Sequence, residues 1–370
     1  MNGSTTLAMV ASRAGVHFTT VARALRDHPS LPLATRRRLQ ALAAEMGYQP
    51  DPTLGALVAY RRRSQPPQDS RVLAYLTDGA SRAEWGNQSS PKAYLEGARR
   101  MSLALGYQLE HFWLREEGTT LRSIDDALRS RGIIGVILAS SSRAESFLGD
   151  FEWRDFCAVK INAAPSLPQL HGVTSAHHRM VALAMQHTFA AGYRRIGFVL
   201  PGEWDLQVGR AWSAGFLGEQ QLIPEADRIP ILTFAPPSPE QPAVPREHLS
   251  GWLSRHQPEV ILSCESFVGA PLAELGRNGI AFVEMHLEKP DGTTAGIFHN
   301  GHRVGELAVE LLAGKMEQHL NGAPDVPTAS YVDGTWHDGA SLPPRRYGMR
   351  AAPDHAHVDV NQGTLVEQAR

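Results

Sequence analysis

From Arg71 to Trp336, short aliphatic or β-branched runs alternate with amphipathic stretches, and this alternation narrows the available folds more than any other feature. Strand candidates lie at 71–79, 107–114, 135–140, 156–162, 195–200, 229–234, 259–264 and 280–287, with further ones at 295–300 and 329–336. Helical stretches at 92–105, 121–130, 176–191, 207–221, 247–256 and 268–278 separate them. Connections of that length are too long for hairpins, so the strands are expected to run parallel in an α/β sheet. The first eight units already exceed one small doubly wound sheet, which leaves a barrel or two Rossmann-like lobes. A barrel enzyme sets acids, histidines or lysines at several strand ends. No such array can be assembled here, which favours two lobes. The 370 residues also exceed what one core usually carries, so two or three globular units are expected. After Leu342 no periodic apolar face remains, and 343–370 reads as a poorly ordered tail.

The net charge of -2 conceals a division. Residues 1–63 hold nine arginines, no lysine and three acids, a balance of +6; the other 307 residues hold 27 Lys plus Arg against 35 Asp plus Glu, a balance of -8. A basic head on an acidic body suits a polyanion for the head and a different ligand for the body, although a solvated basic face would give the same count. No apolar run approaches the roughly 18 residues of a membrane span. The N-terminus lacks a basic n-region, and Arg13 interrupts its apolar stretch, so no secretion signal is read and a cytoplasmic protein is expected. Cys157 and Cys264 sit in separate apolar runs and exclude a disulfide scaffold. The GxGxxG, P-loop, HExxH and GxSxG signatures are missing, so neither catalysis nor a cofactor is expected. The adjacent His177 and His178 read as surface residues. His286 and His299 could meet in a cleft, but with no third ligand to place, no metal site is assigned.

Within the basic segment three short helices can be placed. The first begins after Thr5 or Thr6 as N-cap and stops at Gly15; the second starts near His17 or Phe18 and carries TTVARAL; the third runs through ATRRRLQALAAEM to Gly47. Two short helices around a glycine turn in a basic context match helix-turn-helix geometry, with the second helix entering the major groove. Phe18, Thr19, Thr20 and Arg23 are then candidates for base edges, and the other arginines for phosphates. Asp51 and Pro52 next start a short helix whose Leu54, Leu57 and Val58 form an apolar edge, a form suited to wedging a DNA minor groove. The Pro/Gln/Ser stretch 64–70 reads as a linker.

The run TTLAMVASRAGVHFTTVARALRDHPSLPLATRRRLQALAAEMGYQPDPTLGAL resembles the DNA-binding headpiece and hinge helix of the lactose/galactose repressor family. The body resembles that family's effector domain, itself similar to periplasmic sugar-binding proteins, in GYRRIGFVLP (192–201), the helix HRVGELAVELL and the strand 329–336. The resemblance places Phe18, Thr19 and Arg23 on base-reading positions and Leu57 on the hinge leucine that enters the minor groove. Departures are His17 for the usual serine cap, Pro32 for a serine, and Gly55 in the hinge. The fold class implied is multidomain: a small all-α helix-turn-helix head (1–49), a hinge helix and linker (50–69), and an α/β two-lobed, periplasmic-binding-protein-like body (70–342). Lobe 1 is expected at about 70–163 and 295–320, and lobe 2 at about 170–290 and 328–342, with crossings near 163–170, 290–295 and 321–328.

Ligands of open α/β sheets bind beyond the carboxyl ends of the strands. Candidate effector residues are therefore Trp85, Asn87, Tyr94, Ser140, Asn162, Arg210, Glu265 and His286, with Ser141 and Trp204 beside them; aromatic faces with hydrogen-bonding groups suit a sugar. By resemblance, Glu265 falls on an acidic ligand-binding position, and Trp212 stands where many relatives present an arginine to the ligand. Ser175 occupies a frequent aspartate position. The function implied is a sequence-specific transcriptional regulator, a repressor, that acts as a homodimer on a pseudo-palindromic double-stranded DNA operator under control of a sugar effector. A solute-binding module without DNA function and a sugar-active α/β enzyme are the rival readings.

Overall fold

The computed structural model describes residues 5–25, 31–48, 71–77, 89–139, 148, 150–161, 168–235, 243–277 and 279–345. The head consists of α1 (Leu7–Ala14), α2 (Phe18–Leu25) and α3 (Leu33–Glu45). Thr6 caps α1 by accepting the amide of Met9 at 3.3 Å, and Gly15 ends it at φ 69°, a left-handed conformation that side chains resist. Val10, Ala11, Val21, Ala24, Leu39 and Ala43 bury together at the centre. Gln40 donates to the carbonyl of Ala24 at 2.8 Å, locking α3 to the end of α2.

The body follows in chain order: β1 (Arg71–Thr77), α4 (Ser89–Ala104), β2 (Tyr107–Trp113), α5 (Leu121–Ser130), β3 (Gly135–Leu138), β4 (Cys157–Ile161), β5 (His171–Ser175), α6 (His177–Ala190), β6 (Ile196–Pro201), α7 (Gly202–Gln207), α8 (Ala211–Gln220), β7 (Leu232–Phe234), α9 (Arg246–His256), β8 (Val260–Ser263), α10 (Glu265–Glu274), β9 (Ala281–Leu287), β10 (Ala295–Phe298), α11 (Gly301–Glu317), β11 (Ala329–Val332) and β12 (Thr335–His337). They build two six-stranded sheets, ordered β11-β5-β4-β3-β1-β2 and β12-β10-β9-β8-β6-β7. Every pairing is parallel except β10 with β12. Helices cover both faces, so the strands are apolar on both sides. Leu73 and Tyr75 of β1 enter one core and Ala74 and Leu76 the other; Phe198 and Leu200 of β6 are likewise separated from Val199.

The chain changes sheets later than expected at each crossing. Residues 171–175 pair with β4 and β11 in the first sheet rather than opening the second lobe. β10 belongs to the second sheet, so 295–298 is not part of lobe 1, and β11 at 329–332 is not part of lobe 2. The Pro- and Gly-rich segments 290–295 and 321–328 are loops within a lobe, and β4 and β5, which flank 163–170, pair in one sheet. The true crossings are short elbows: Ala176, His299 with Asn300, and Asp333 with Gly334. Two of these are joined directly, since the Asn300 side-chain amide donates to Asp333 O at 2.8 Å and to Thr335 Oγ1 at 3.0 Å. The expected tail also starts too early. Tyr193 donates its hydroxyl to Pro343 O at 2.8 Å, and Arg345 pairs with Glu259 and lies over the Tyr193 ring. Residues 346–370 lie outside the described residues. Among the described residues no helix is long and apolar enough to cross a membrane.

Candidate functional site: a recognition helix and an inter-lobe cleft

The short α2 takes its outer face from what its inner face buries. Val21 and Ala24 turn into the core, which leaves Phe18 50% exposed and Thr19 and Arg23 exposed one helical turn apart. Thr20 is half-buried. His17 occupies the entry to α2: its carbonyl accepts the amide of Thr20 at 2.9 Å, and its Nδ1 lies 2.8 Å from Thr19 Oγ1. The histidine thus meets the first turn at the place where a serine hydroxyl would cap it. Leu54 and Leu57 lie outside the described residues.

In the body, a cavity of about 740 Å³ opens between the two lobes, within the size range of small-molecule sites. Pro91 and Tyr94 of α4 border it from the first lobe. From the second come Trp204 and Gln207 of α7, Trp212 of α8, Glu265 and Ser266 at the start of α10, and His286 with the segment that follows β9. These positions lie beyond the carboxyl ends of β6, β8 and β9, where parallel sheets leave backbone groups and loop side chains free to meet a ligand. A small apolar recess of about 30 Å³ adjoins it, walled by Phe198, Leu200, Phe267 and Met285 and sharing Trp204, Trp212, Cys264 and His286 with the larger space.

The inner wall is a histidine and tryptophan cluster. His177, the first residue of α6, lies 4.6 Å from Trp212 and 6.0 Å from His299 between ring centroids, and His286 lies 4.4 Å from His299. Met285 O, an acceptor, sits 2.7 Å from His299 Nε2, which therefore carries the proton. Nδ1 is left with a buried lone pair that has no hydrogen-bond partner among the described residues. Burial is the largest cause of the lowered basicity of all three rings, and neighbouring histidines add to it for His177 and His299. His177 falls to about 3, and His299 lies well below the ordinary histidine value. Neutral imidazoles thus line this wall near pH 7. Among the described residues no group of three or more His, Cys, Asp or Glu could hold a metal ion.

Two acids set up the neighbouring helix starts. α10 has no side-chain cap of its own, since Cys264 occupies that position. Glu284 of β9 replaces it, accepting the amides of Glu265 at 2.8 Å and His286 at 2.9 Å. Burial raises the Glu284 carboxyl above its usual value, against the lowering effect of those donors. Asp205 does the same for α8 by accepting the Ser213 amide at 3.0 Å.

Of the expected effector residues, Tyr94, Trp212, Glu265 and His286 come together around the cavity, with Trp204. Arg210 does not join them; it begins α8 in a left-handed conformation at φ 64°, is exposed, and is not among the lining residues. Trp85, Asn87, Ser140, Ser141 and Asn162 lie outside the described residues. Ser175 is buried at the end of β5. His177 corrects the surface reading: it is 8% exposed and part of the cluster. It was missed because β5 was, so the carboxyl end of a strand immediately before it went unseen. Glu284, Lys289, Asp291 and His299 also line the cavity without having been singled out for the effector.

Residues 6–51 match the model of bacterial regulatory proteins, lacI family. Most of the chain is similar in fold to solved structures. One is the lac repressor dimer bound to operator and the anti-inducer ONPF, with 16% identity, a TM-score of 0.54, and coverage of 92% of this chain and 100% of that one. Another is the transcriptional regulator CelR in complex with cellobiose, with 15% identity, a TM-score of 0.50, and coverage of 90% and 98%. A third is a LacI family regulator from Weissella paramesenteroides with bound sucrose, with 14% identity, a TM-score of 0.52, and coverage of 74% and 99%. No curated protein matches by sequence. The exposed α2 face thus lies within the segment that matches the lacI family model of bacterial regulatory proteins, and the two-sheet body has the fold of the lac repressor structure.

Proposed function

We propose that the protein is a sequence-specific transcriptional repressor that binds a pseudo-palindromic operator as a homodimer and whose operator affinity is set by a sugar in the inter-lobe cleft. The observation that carries this reading is the joining, in one chain, of a lacI-type head with an exposed Phe18, Thr19 and Arg23 face to a two-lobed body with a sizeable aromatic and polar cavity. One head is too small for tight specific binding, whereas two heads on two half-sites multiply the contacts. Leu54 and Leu57 are assigned the minor-groove wedge between them. The residues assigned to the effector are Tyr94, Trp204, Trp212, Glu265 and His286, with Trp85, Asn87, Ser140 and Asn162 retained as candidates from the first lobe. Arg210, exposed and not among the residues that line the cavity, has no part in it. Binding across the cleft would favour one lobe arrangement over another and shift the population able to hold DNA.

Selection of genomic fragments by the full-length protein tests the DNA half of this reading. The expected result is enrichment of a site with two related half-sites. Binding without sequence preference that vanishes at moderate salt would reduce the head to phosphate contacts and favour a solute-binding module.

A further inference from the structure

The charge on the cleft limits which ligands can enter it. Among the described lining residues, four carboxylates (Glu265, Glu284, Glu288 and Asp291) stand against one ammonium, Lys289, and no guanidinium. The histidines do not redress the balance, because burial keeps His177, His286 and His299 in their neutral forms near pH 7. The segments that follow β1 and β3 do not redress it in sequence either, since 78–88 and 140–147 carry Arg82 and Arg143 against Asp78, Glu84 and Glu145.

What the wall does offer is charged acceptors, neutral donors and flat apolar faces. Trp204 is 38% exposed and borders the cavity with Trp212, so its indole can take the C–H face of a saturated ring. Glu265 is exposed at the start of α10 and accepts hydrogen bonds only. His299 is itself only 6% exposed, and its Nδ1 is a buried acceptor lacking a partner among the described residues; Tyr94, Trp204, Gln207, Trp212 and Ser266 bring neutral donors to the wall, so its acceptors rather than its donors carry most of the charge. A phosphate or carboxylate brings only more acceptors and more negative charge into this wall. A hydroxylated neutral ring brings donors and no charge.

We infer that the cleft selects an uncharged polyhydroxylated ring and rejects the phosphorylated or carboxylate-bearing form of the same ring. This rests on the cleft being the effector site. It adds to that reading the charge class of the effector.

The test is binding to the full-length protein, followed by calorimetry and thermal shift, of matched sets: glucose, galactose and cellobiose, each beside its own 6-phosphate and its own uronate. At least one uncharged member should bind, and at least tenfold more tightly than its anionic counterpart. Glu265→Gln should narrow that ratio and Lys289→Gln should widen it. Each change is about tenfold or less, the Coulomb effect of one unit charge roughly 6 Å away at an effective dielectric between surface and bulk values. An anionic member that binds as tightly as its uncharged partner overturns the inference, as does a panel in which no uncharged member binds at millimolar concentration, or charge variants that move the ratio in the same direction. Failure of operator selection would instead remove the regulator reading and leave the measured ratio as it stands.

Discussion

Gly305 and Gly314 lie in the same helix, yet replacing each by alanine should move stability in opposite directions. In a helix interior, alanine is favoured over glycine by about 1 kcal/mol. At Gly314 nothing lies within 4 Å of the added Cβ, so that gain is kept. At Gly305 the same Cβ would lie 2.7 Å from the amide nitrogen of Ala98 and closer still to the carbonyl oxygen of Tyr94, where real Cβ contacts essentially never fall under 3.0 Å. Both obstacles are backbone of α4, and Gly97 makes the reciprocal close approach to His302, so no side chain can swing away. The two helices must separate, loosening Ala98, Val304, Ala308 and their neighbours, and overpacking of this kind costs about 3 kcal/mol. Set against the propensity gain, Gly305→Ala should lose about 2 kcal/mol net, or roughly 4–8 °C in Tm, while Gly314→Ala should gain roughly 1–4 °C. Thermal unfolding of the two variants beside the parent measures this. Because Tyr94 borders the cleft, Gly305→Ala should also weaken effector binding and Gly314→Ala should not. An unchanged or raised Tm for Gly305→Ala would refute the close-approach account.

Acid should destabilise the body through its buried histidines. Their folded pKa values lie below the unfolded value, so the unfolded chain binds more protons below about pH 6.5; stability is complete above that pH and is lost as pH falls toward about 3 for His177, at about 1.4 kcal/mol per pH unit per histidine. Urea denaturation at about pH 7.5 and 5.5 should show the loss, and His177→Phe should reduce it; equal pH dependence would mean the ring is not buried neutral. Asp205→Ala should cost about 1 kcal/mol by uncapping α8, read from the urea midpoint at an unchanged slope. In the head, Arg23→Ala should cost about 1–3 kcal/mol on the selected operator and relax preference at one base pair, whereas Arg37→Ala should weaken all sequences alike and reduce the salt slope by about 1. Leu57→Ala should weaken operator binding and leave effector binding intact.

Features set by local chemistry were legible in the sequence. Thr6 and Gly15 bound α1 because capping and positive φ are decided within a few residues, and the three head helices fall where spacing expects them. The α/β body was legible too, since strands buried on both faces must be apolar throughout. The strand at 171–175 was not legible. HGVTS is short and carries two hydroxyl residues, and it is a strand because β4 and β11 pair with it on either side. Missing it displaced the first crossing and hid His177. The crossings at 299–300 and 333–334 have no compositional signature, because a tight elbow fixed by one asparagine side chain needs neither proline nor a polar run. Four cleft residues could be named from strand ends alone, and the meeting of His286 with His299 was legible as well, whereas the His177 and Trp212 contacts that complete the cluster depend on where β5 and β10 pair.

The central claim is that cleft and head are coupled, and linkage makes that measurable from both ends. The operator fragment obtained by selection is titrated by fluorescence anisotropy with and without the sugar that raises Tm, and the sugar is titrated by calorimetry with and without the operator. The account predicts that the operator Kd shifts by a factor between about 5 and 150 and that the sugar Kd shifts by the same factor. An operator affinity that is unchanged when the cleft is saturated would contradict it.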